Sequence, residues 1–202
     1  MKLYFSPGAC SLAPHIVLRE SGLPFTLEKV DTGAHKTAQG GDYFNINPKG
    51  QVPILELDDG DRLSEGPIVA QYIADKAKNT DLMPAAGTKA RYRVLEWQNY
   101  VTSELHKSFT PLFNPAINAE AKAVLADNLK KKYEWVSSQL EGRQYLTGDT
   151  FTAADAYLFT VTAWAKYVNL DLSGLSDLQK YLSRVAARPA VKEAMRAEGL
   201  PV

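Results

Sequence analysis

Apolar positions in the first 77 residues change period several times, the pattern of short strands alternating with helices. Leu3-Tyr4-Phe5 predicts a strand that stops at Ser6-Pro7-Gly8. Leu12, Ile16, Val17 and Leu18 predict a helix over Ser11–Ser21, with Ser11 placed as its cap, Pro14 in its first turn and Gly22 as its stop. Phe25–Val30 alternates as a strand, and Asp31–Asn45, which holds Gly33, Gly40 and Gly41, reads as a loop with an irregular helix. Ile54–Leu57 and Arg62–Ser64 flank Asp58-Asp59-Gly60-Asp61 and predict an antiparallel hairpin. Ile68, Val69, Tyr72 and Ile73 then predict a helix from Gly66 to Ala77, so the order implies an α/β sheet domain.

Residues 78–88 contain Pro84 and Gly87, lack periodicity and mark an expected boundary between a domain of residues 1–77 and one of residues 89–202. Beyond it only helical spacing remains. Val94, Trp97, Val101 and Leu105 predict a long helix interrupted near Pro111 and Pro115. A second runs from Glu120 to Leu140, and Phe151–Lys166, Leu175–Ala187 and Pro189–Glu198 supply three more. The expected second domain is therefore all-α.

Composition narrows the classes of function. The 202 residues carry 23 Lys+Arg against 23 Asp+Glu, and 45% are hydrophobic, which describes a globular chain rather than a disordered or fibrous one. Zero net charge argues against nucleic acid as a partner. No apolar run approaches the ~20 residues needed to cross a bilayer, and no signal-peptide core precedes the break at Pro7, so a cytoplasmic protein without a membrane partner is expected. The single cysteine, Cys10, cannot form an internal disulfide, in keeping with a reducing compartment.

Cys10 falls at a strand-to-helix turn, where free N–H groups and the helix dipole favour an anionic sulfur. A reactive thiolate and a buried structural cysteine both fit that position. Ala13 stands where a Cys-x-x-Cys motif would carry its resolving thiol, so any redox turnover must borrow an external thiol. Val52-Pro53 enters a strand at a residue with no ladder donor, which suits either a turn or a cis bond. Ser64-Glu65-Gly66-Pro67 opens a helix, where Ser64 or Glu65 serves either as a cap or as part of a carboxylate site. Asn99, Ser103 and His106, spaced i, i+4, i+7, share one face of a regular helix and form either a wet surface or a ligand wall. Thr152-Ala153-Ala154-Asp155 matches a capping box, with Phe151 as a staple residue. Asp58–Asp61 lacks the spacing of a calcium loop, Lys130-Lys131-Lys132 reads as a solvated helix face, and His15, His35 and His106 stand too far apart in the chain to suggest zinc. No metal or nucleotide is expected.

Pro7-Gly8-Ala9-Cys10-Ser11-Leu12, Asn47-Pro48-Lys49-Gly50-Gln51-Val52-Pro53, Ser103-Glu104-Leu105-His106-Lys107 and Phe151-Thr152-Ala153-Ala154-Asp155-Ala156-Tyr157 occur in order at family-like spacing. Together they make the whole chain resemble a cytosolic glutathione transferase of the bacterial beta class. The resemblance implies a thioredoxin-like domain followed by a helical one, a homodimer, glutathione as co-substrate with no prosthetic group, and a small hydrophobic electrophile as the second substrate. It implies that Pro53 is cis and that Gln51, Val52, Glu65 and the residue after it bind glutathione. Gly66 stands where the family often has serine, so one hydroxyl contact is missing. His35 or Lys36 is implied near the glycine carboxylate, and Asn99, Ser103, Glu104 and His106 contact the tripeptide from the helical half, some of them across a two-fold axis. Set in a cleft between the two halves, that polar face makes His106 catalytic beside Cys10. Two chemistries remain open: attack by the glutathione sulfur on carbon, and a mixed disulfide at Cys10 that supports thiol transfer or peroxide reduction. Phe109, Phe113, Trp164 and Tyr167 are candidate walls for the electrophile. The alternative is a protein of this fold that binds a ligand or partner without turnover.

Overall fold

In the computed structural model, which describes residues 1–202, strand β1 (Lys2–Phe5) lies in the middle of a five-stranded sheet. The helix α1 (Leu12–Ser21) carries the chain over to β2 (Thr26–Asp31), which pairs parallel to β1, as a β-α-β crossover requires. A two-residue edge strand, β3 (Lys36–Thr37), pairs antiparallel with β2. On the other side β4 (Ile54–Glu56) pairs antiparallel with β1 and with β5 (Arg62–Leu63), the expected hairpin, giving the order β3-β2-β1-β4-β5. Strand side chains alternate between faces. Leu3, Phe5 and Leu55 therefore enter the main core beneath α1 and α2 (Gly66–Lys76), while Tyr4, Val30, Tyr43, Val52 and Ile54 form a smaller cluster on the opposite face. A 3₁₀ turn, Tyr43–Asn45, is the irregular helix expected in residues 31–45 and supplies Tyr43, the one buried side chain of that stretch, to the smaller cluster.

Residues 78–88 hold no helix or strand until Lys89, yet Leu82 and Met83 are buried and the Leu82 carbonyl accepts the Ala153 N–H at 2.9 Å. The helical half follows as α3 (Lys89–Tyr100), a π-helical segment Val101–His106, α4 (Lys107–Phe113), α5 (Ala119–Gln139), α6 (Ala153–Thr162), a 3₁₀ segment Ala163–Val168, α7 (Ser176–Ala186) and α8 (Pro189–Ala197). The first run ends at Phe113, between Pro111 and Pro115, where the interruption was expected. Pro111 itself sits inside α4, where its missing N–H removes one bond, and a further irregularity falls earlier, in the π-helical segment. The expected helix through Lys166 stops at Thr162 and tightens into the 3₁₀ turns.

All ten residues of α6 are buried, which makes it the axis of the helical half. Its start is fixed by Asp155, whose carboxylate accepts the Thr152 N–H and hydroxyl (both 2.8 Å), the Leu146 N–H (2.9 Å) and the Tyr181 hydroxyl (3.1 Å). Phe151 packs on Tyr145 and under the Arg188 guanidinium, not on Ala156. One apolar cluster runs from Leu3 to Ala194 without a break between the halves. The turn after α8 adds a polar link, for buried Glu198 bonds His15 Nδ1 at 2.8 Å and accepts the Gly8 N–H at 2.9 Å.

Candidate active site

The loop Ser6–Ser11 that leaves β1 is clamped from several directions. Gly8, at φ 69°, gives its N–H to Glu198, and its carbonyl accepts the Trp164 indole N–H at 2.8 Å. The Ser11 hydroxyl accepts the Ser6 N–H and donates to the Ser6 carbonyl, so it closes this loop and does not cap α1 as expected. Cys10 is thereby presented to the cleft with its thiol donating to the Val52 carbonyl at 3.2 Å. Burial pushes that thiol up to about 11, against a smaller downward pull from the Cys10 and Ser11 backbone N–H groups, and Glu65 adds to the rise. The helix start does not make a thiolate here, because desolvation outweighs it.

Across from Cys10 the segment 47–53 is shaped by its own polar groups. Asn47 donates to the Gln51 carbonyl at 2.7 Å, Tyr43 donates to the same carbonyl at 2.9 Å, and Val52-Pro53 is cis. Gly50, at φ 66°, lies against the His35 ring, where a Cβ would stand 2.8 Å from Nδ1, so only glycine fits. His35, itself at φ 51°, stacks on Phe44 at 4.3 Å and keeps a buried Nδ1 without a hydrogen-bond partner. Lys36 points away on the edge strand and is exposed. Glu65 precedes α2 at φ 67°, a conformation that costs a non-glycine residue stability, and pairs with Lys49 at 2.8 Å. Both partners are at least half exposed, so the pair itself adds little to stability.

The third wall comes from the helical half. The wider π turn, in which the Lys107 N–H reaches the Thr102 carbonyl, brings Thr102, His106 and Thr110 to the cleft. Asn99, Ser103 and Glu104 do not line it: the regular-helix face expected for Asn99, Ser103 and His106 is split by the π segment, and Glu104 turns to Lys132 at 2.9 Å. His106 Nδ1 lies 2.7 Å from the Tyr157 hydroxyl, and the ring meets the edge of Trp164 at 4.8 Å. Burial first, and Lys107 second, pull the imidazole down to about 4, so it is neutral at physiological pH. Burial lifts the Tyr157 phenol above its ordinary value, keeping it protonated.

These walls enclose an open cleft of about 560 Å³. Of the residues expected at the site, Cys10, His35, Gln51, Val52, Pro53, Glu65, Gly66 and His106 line it, and Lys36, Asn99, Ser103 and Glu104 do not. Thr32, Asn47, Lys49, Thr102, Thr110 and Tyr157 line it without having been singled out from the sequence as site residues. Tyr157 carried a signal, since a tyrosine on a fully buried helix must find a partner for its hydroxyl. Of the candidate aromatic walls, Phe109 and Trp164 are buried, while Phe113 and Tyr167 are exposed.

A polar cleft between a mixed sheet and a helical bundle, with Cys10 and a cis-proline facing His106, defines a class of two-part enzymes, and the comparisons with known proteins name it. The sequence models of the glutathione S-transferase N-terminal and C-terminal domains match residues 8–76 and 100–189. The chain belongs to the glutathione S-transferase family. It is 48% identical to glutathione S-transferase GstA of Escherichia coli O157:H7, over 99% of this chain and all of that one. Within the family its likeness is to the bacterial beta class: a beta-class transferase from Sphingomonas chungbukensis superposes at a TM-score of 0.95 with 42% identity, each chain covered in full. A sphingomonad glutathione S-transferase complexed with glutathione does so at 0.95 with 45% identity, again over both whole chains. The first half is thus a thioredoxin-like α/β domain and the second all-α, the chain is an enzyme of glutathione transfer, and the non-catalytic alternative is set aside.

Proposed function

We propose that the enzyme conjugates glutathione to small hydrophobic electrophiles with the tripeptide's own sulfur as nucleophile and Cys10 as a neutral wall of the site. The observation that carries this reading is the Cys10 thiol, which donates to the Val52 carbonyl and whose burial pushes it up to about 11, far from a thiolate at physiological pH. In the reaction the glutathione thiol gives up its proton to solvent, the sulfur forms a bond to the electrophilic carbon, and the leaving group departs with its electron pair. Neutral His106, with Nδ1 engaged by the Tyr157 hydroxyl, offers its Nε2–H to the sulfur. The Val52 backbone receives the cysteinyl part, Glu65 and Gly66 the γ-glutamyl group, and His35 rather than exposed Lys36 the glycine carboxylate.

Asn99, Ser103 and Glu104, outside their own cleft, serve the site of a second subunit in a homodimer. More than half of each Ile68 and Tyr92 side chain is exposed on α2 and α3, which supports a covered face there. Residues 1–77 act as the glutathione-binding domain, 78–88 as the link and 89–202 as the helical domain, in a cytoplasmic protein. No helix is long and apolar enough to cross a membrane.

The exposure of Cys10 to the same cleft favours a second reading, in which the Cys10 sulfur attacks a glutathionyl disulfide, releasing the substrate thiol and forming a Cys10–glutathione disulfide, which free glutathione then cleaves to give glutathione disulfide and the restored thiol. Cys10→Ala separates the two. Conjugation predicts that this variant keeps at least half of the wild-type rate with 1-chloro-2,4-dinitrobenzene. Loss of conjugation by more than about 100-fold would overturn the assignment of the nucleophile, and loss of disulfide reduction alone would assign the second activity to Cys10.

A further inference from the structure

The π-helical segment Val101–His106 forms the floor of one cleft wall, and a π turn leaves a carbonyl without its ordinary α-helical N–H partner. Glu104 in this segment takes donors from outside the helix ladder. Its carbonyl accepts the Ser108 hydroxyl at 2.6 Å and the Lys132 ammonium at 3.1 Å. Lys132, reaching across from α5, also donates to Ser108 Oγ at 3.1 Å and pairs with the Glu104 carboxylate at 2.9 Å. The ammonium is thus held between Glu104 and Ser108, the two residues that bracket His106. Lys131 beside it only pairs with Asp127 on its own helix, so Lys132 departs from the solvated face expected for the run Lys130-Lys131-Lys132. Because the carboxylate pair is partly exposed, its Coulomb attraction is screened, and the geometric content lies in the carbonyl and hydroxyl bonds.

We propose that Lys132 is a positioning residue for the transferase reaction, clamping the π turn so that Thr102 and His106 stay turned into the cleft. Without the clamp the turn relaxes toward α-helical bonding, which rotates His106 off Tyr157 and out of line with the sulfur. The inference rests on the glutathione transferase reading, but one of its readouts does not. Lys132→Met keeps the aliphatic stem and removes the donors. It is expected to lower kcat with 1-chloro-2,4-dinitrobenzene about tenfold, with the KM for glutathione within twofold of wild type, and Lys132→Arg is expected to restore most of the loss. By NMR the His106 ring, which faces Tyr157, Trp164, Lys107, Glu65 and Cys10, is expected to titrate well above its wild-type midpoint in Lys132→Met. An unchanged kcat, or a lower kcat with the His106 titration unmoved, would overturn the proposal. Should Lys132→Met melt too low to assay, Ser108→Ala removes one arm of the clamp and is expected to move both readouts in the same direction by a smaller amount. A wild-type enzyme without turnover would sink the transferase reading while leaving the NMR comparison intact.

Discussion

Gly66 opens α2 at the mouth of the cleft, and the nearest atom to the place where a Cβ would stand is Pro53 Cγ, at 3.9 Å. That is ordinary van der Waals distance, and its φ is not positive, so a larger residue fits there without strain. The contrast with Gly50, where a Cβ would collide with His35, separates a glycine required by packing from one that only leaves a hydroxyl out. Serine at 66 adds one donor beside Glu65 and suits the first turn of a helix better than glycine does. One net hydrogen bond contributes about 1 kcal/mol, roughly fivefold in an equilibrium constant. Gly66→Ser is therefore expected to tighten glutathione binding several-fold in a calorimetric titration, and an unchanged or weaker affinity would show that the backbone N–H alone already serves the carboxylate.

At the scale of elements, α6 depends on a single carboxylate. Replacing Asp155 with alanine leaves the buried Leu146 and Thr152 N–H groups and the Thr152 hydroxyl without that acceptor, each an unsatisfied group worth about 1–3 kcal/mol, and leaves the Tyr181 hydroxyl only the residue-155 carbonyl at 3.3 Å. Asp155→Ala is expected to lose at least about 3 kcal/mol in urea unfolding, and a loss under 1 kcal/mol would mean that water substitutes for the side chain. This element was readable in the sequence because Thr152 and Asp155 stand at cap spacing and the apolar run follows directly. The same holds for β1, α1 and the β4–β5 hairpin, whose periods and turn residues agree. The two-residue β3 was not readable, since Lys36 and Thr37 carry no alternation and pair only at an edge. Nor was the π turn: an i, i+4, i+7 reading of Asn99, Ser103 and His106 assumes a constant pitch, and the pitch changes at Val101, between the first and second of them. Cys10, Pro53 and Glu65 were legible through their positions at element ends, whereas Thr102 and Thr110 carry no motif of their own and line the cleft on the same wall as His106.

The whole molecule bears the cost of keeping His106 uncharged. Its imidazole is held near 4, below the ordinary 6.5, chiefly by burial. Between those two values the unfolded chain binds a proton that the folded chain refuses, so the stability due to this residue is complete above about 6.5 and is lost as the pH falls toward about 4. Thermal melts from pH 7 to pH 4.5 are expected to show a steeper fall in Tm for the wild type than for His106→Asn, which has no such proton to take up. Parallel curves would place the acid sensitivity in the carboxylates alone.

The bond from the Gly8 N–H to Glu198 spans 190 positions of the chain. During synthesis the Cys10 loop leaves the ribosome 190 residues ahead of its anchor. The β-α-β unit beside that loop has its sheet partners early, but the loop's own clamps, Trp164 and Glu198, are still unmade. The nascent enzyme therefore carries the Cys10 thiol on an unfastened loop while the next 190 residues are made, and the order in which the chain is made delays a finished cleft until Glu198 has folded back.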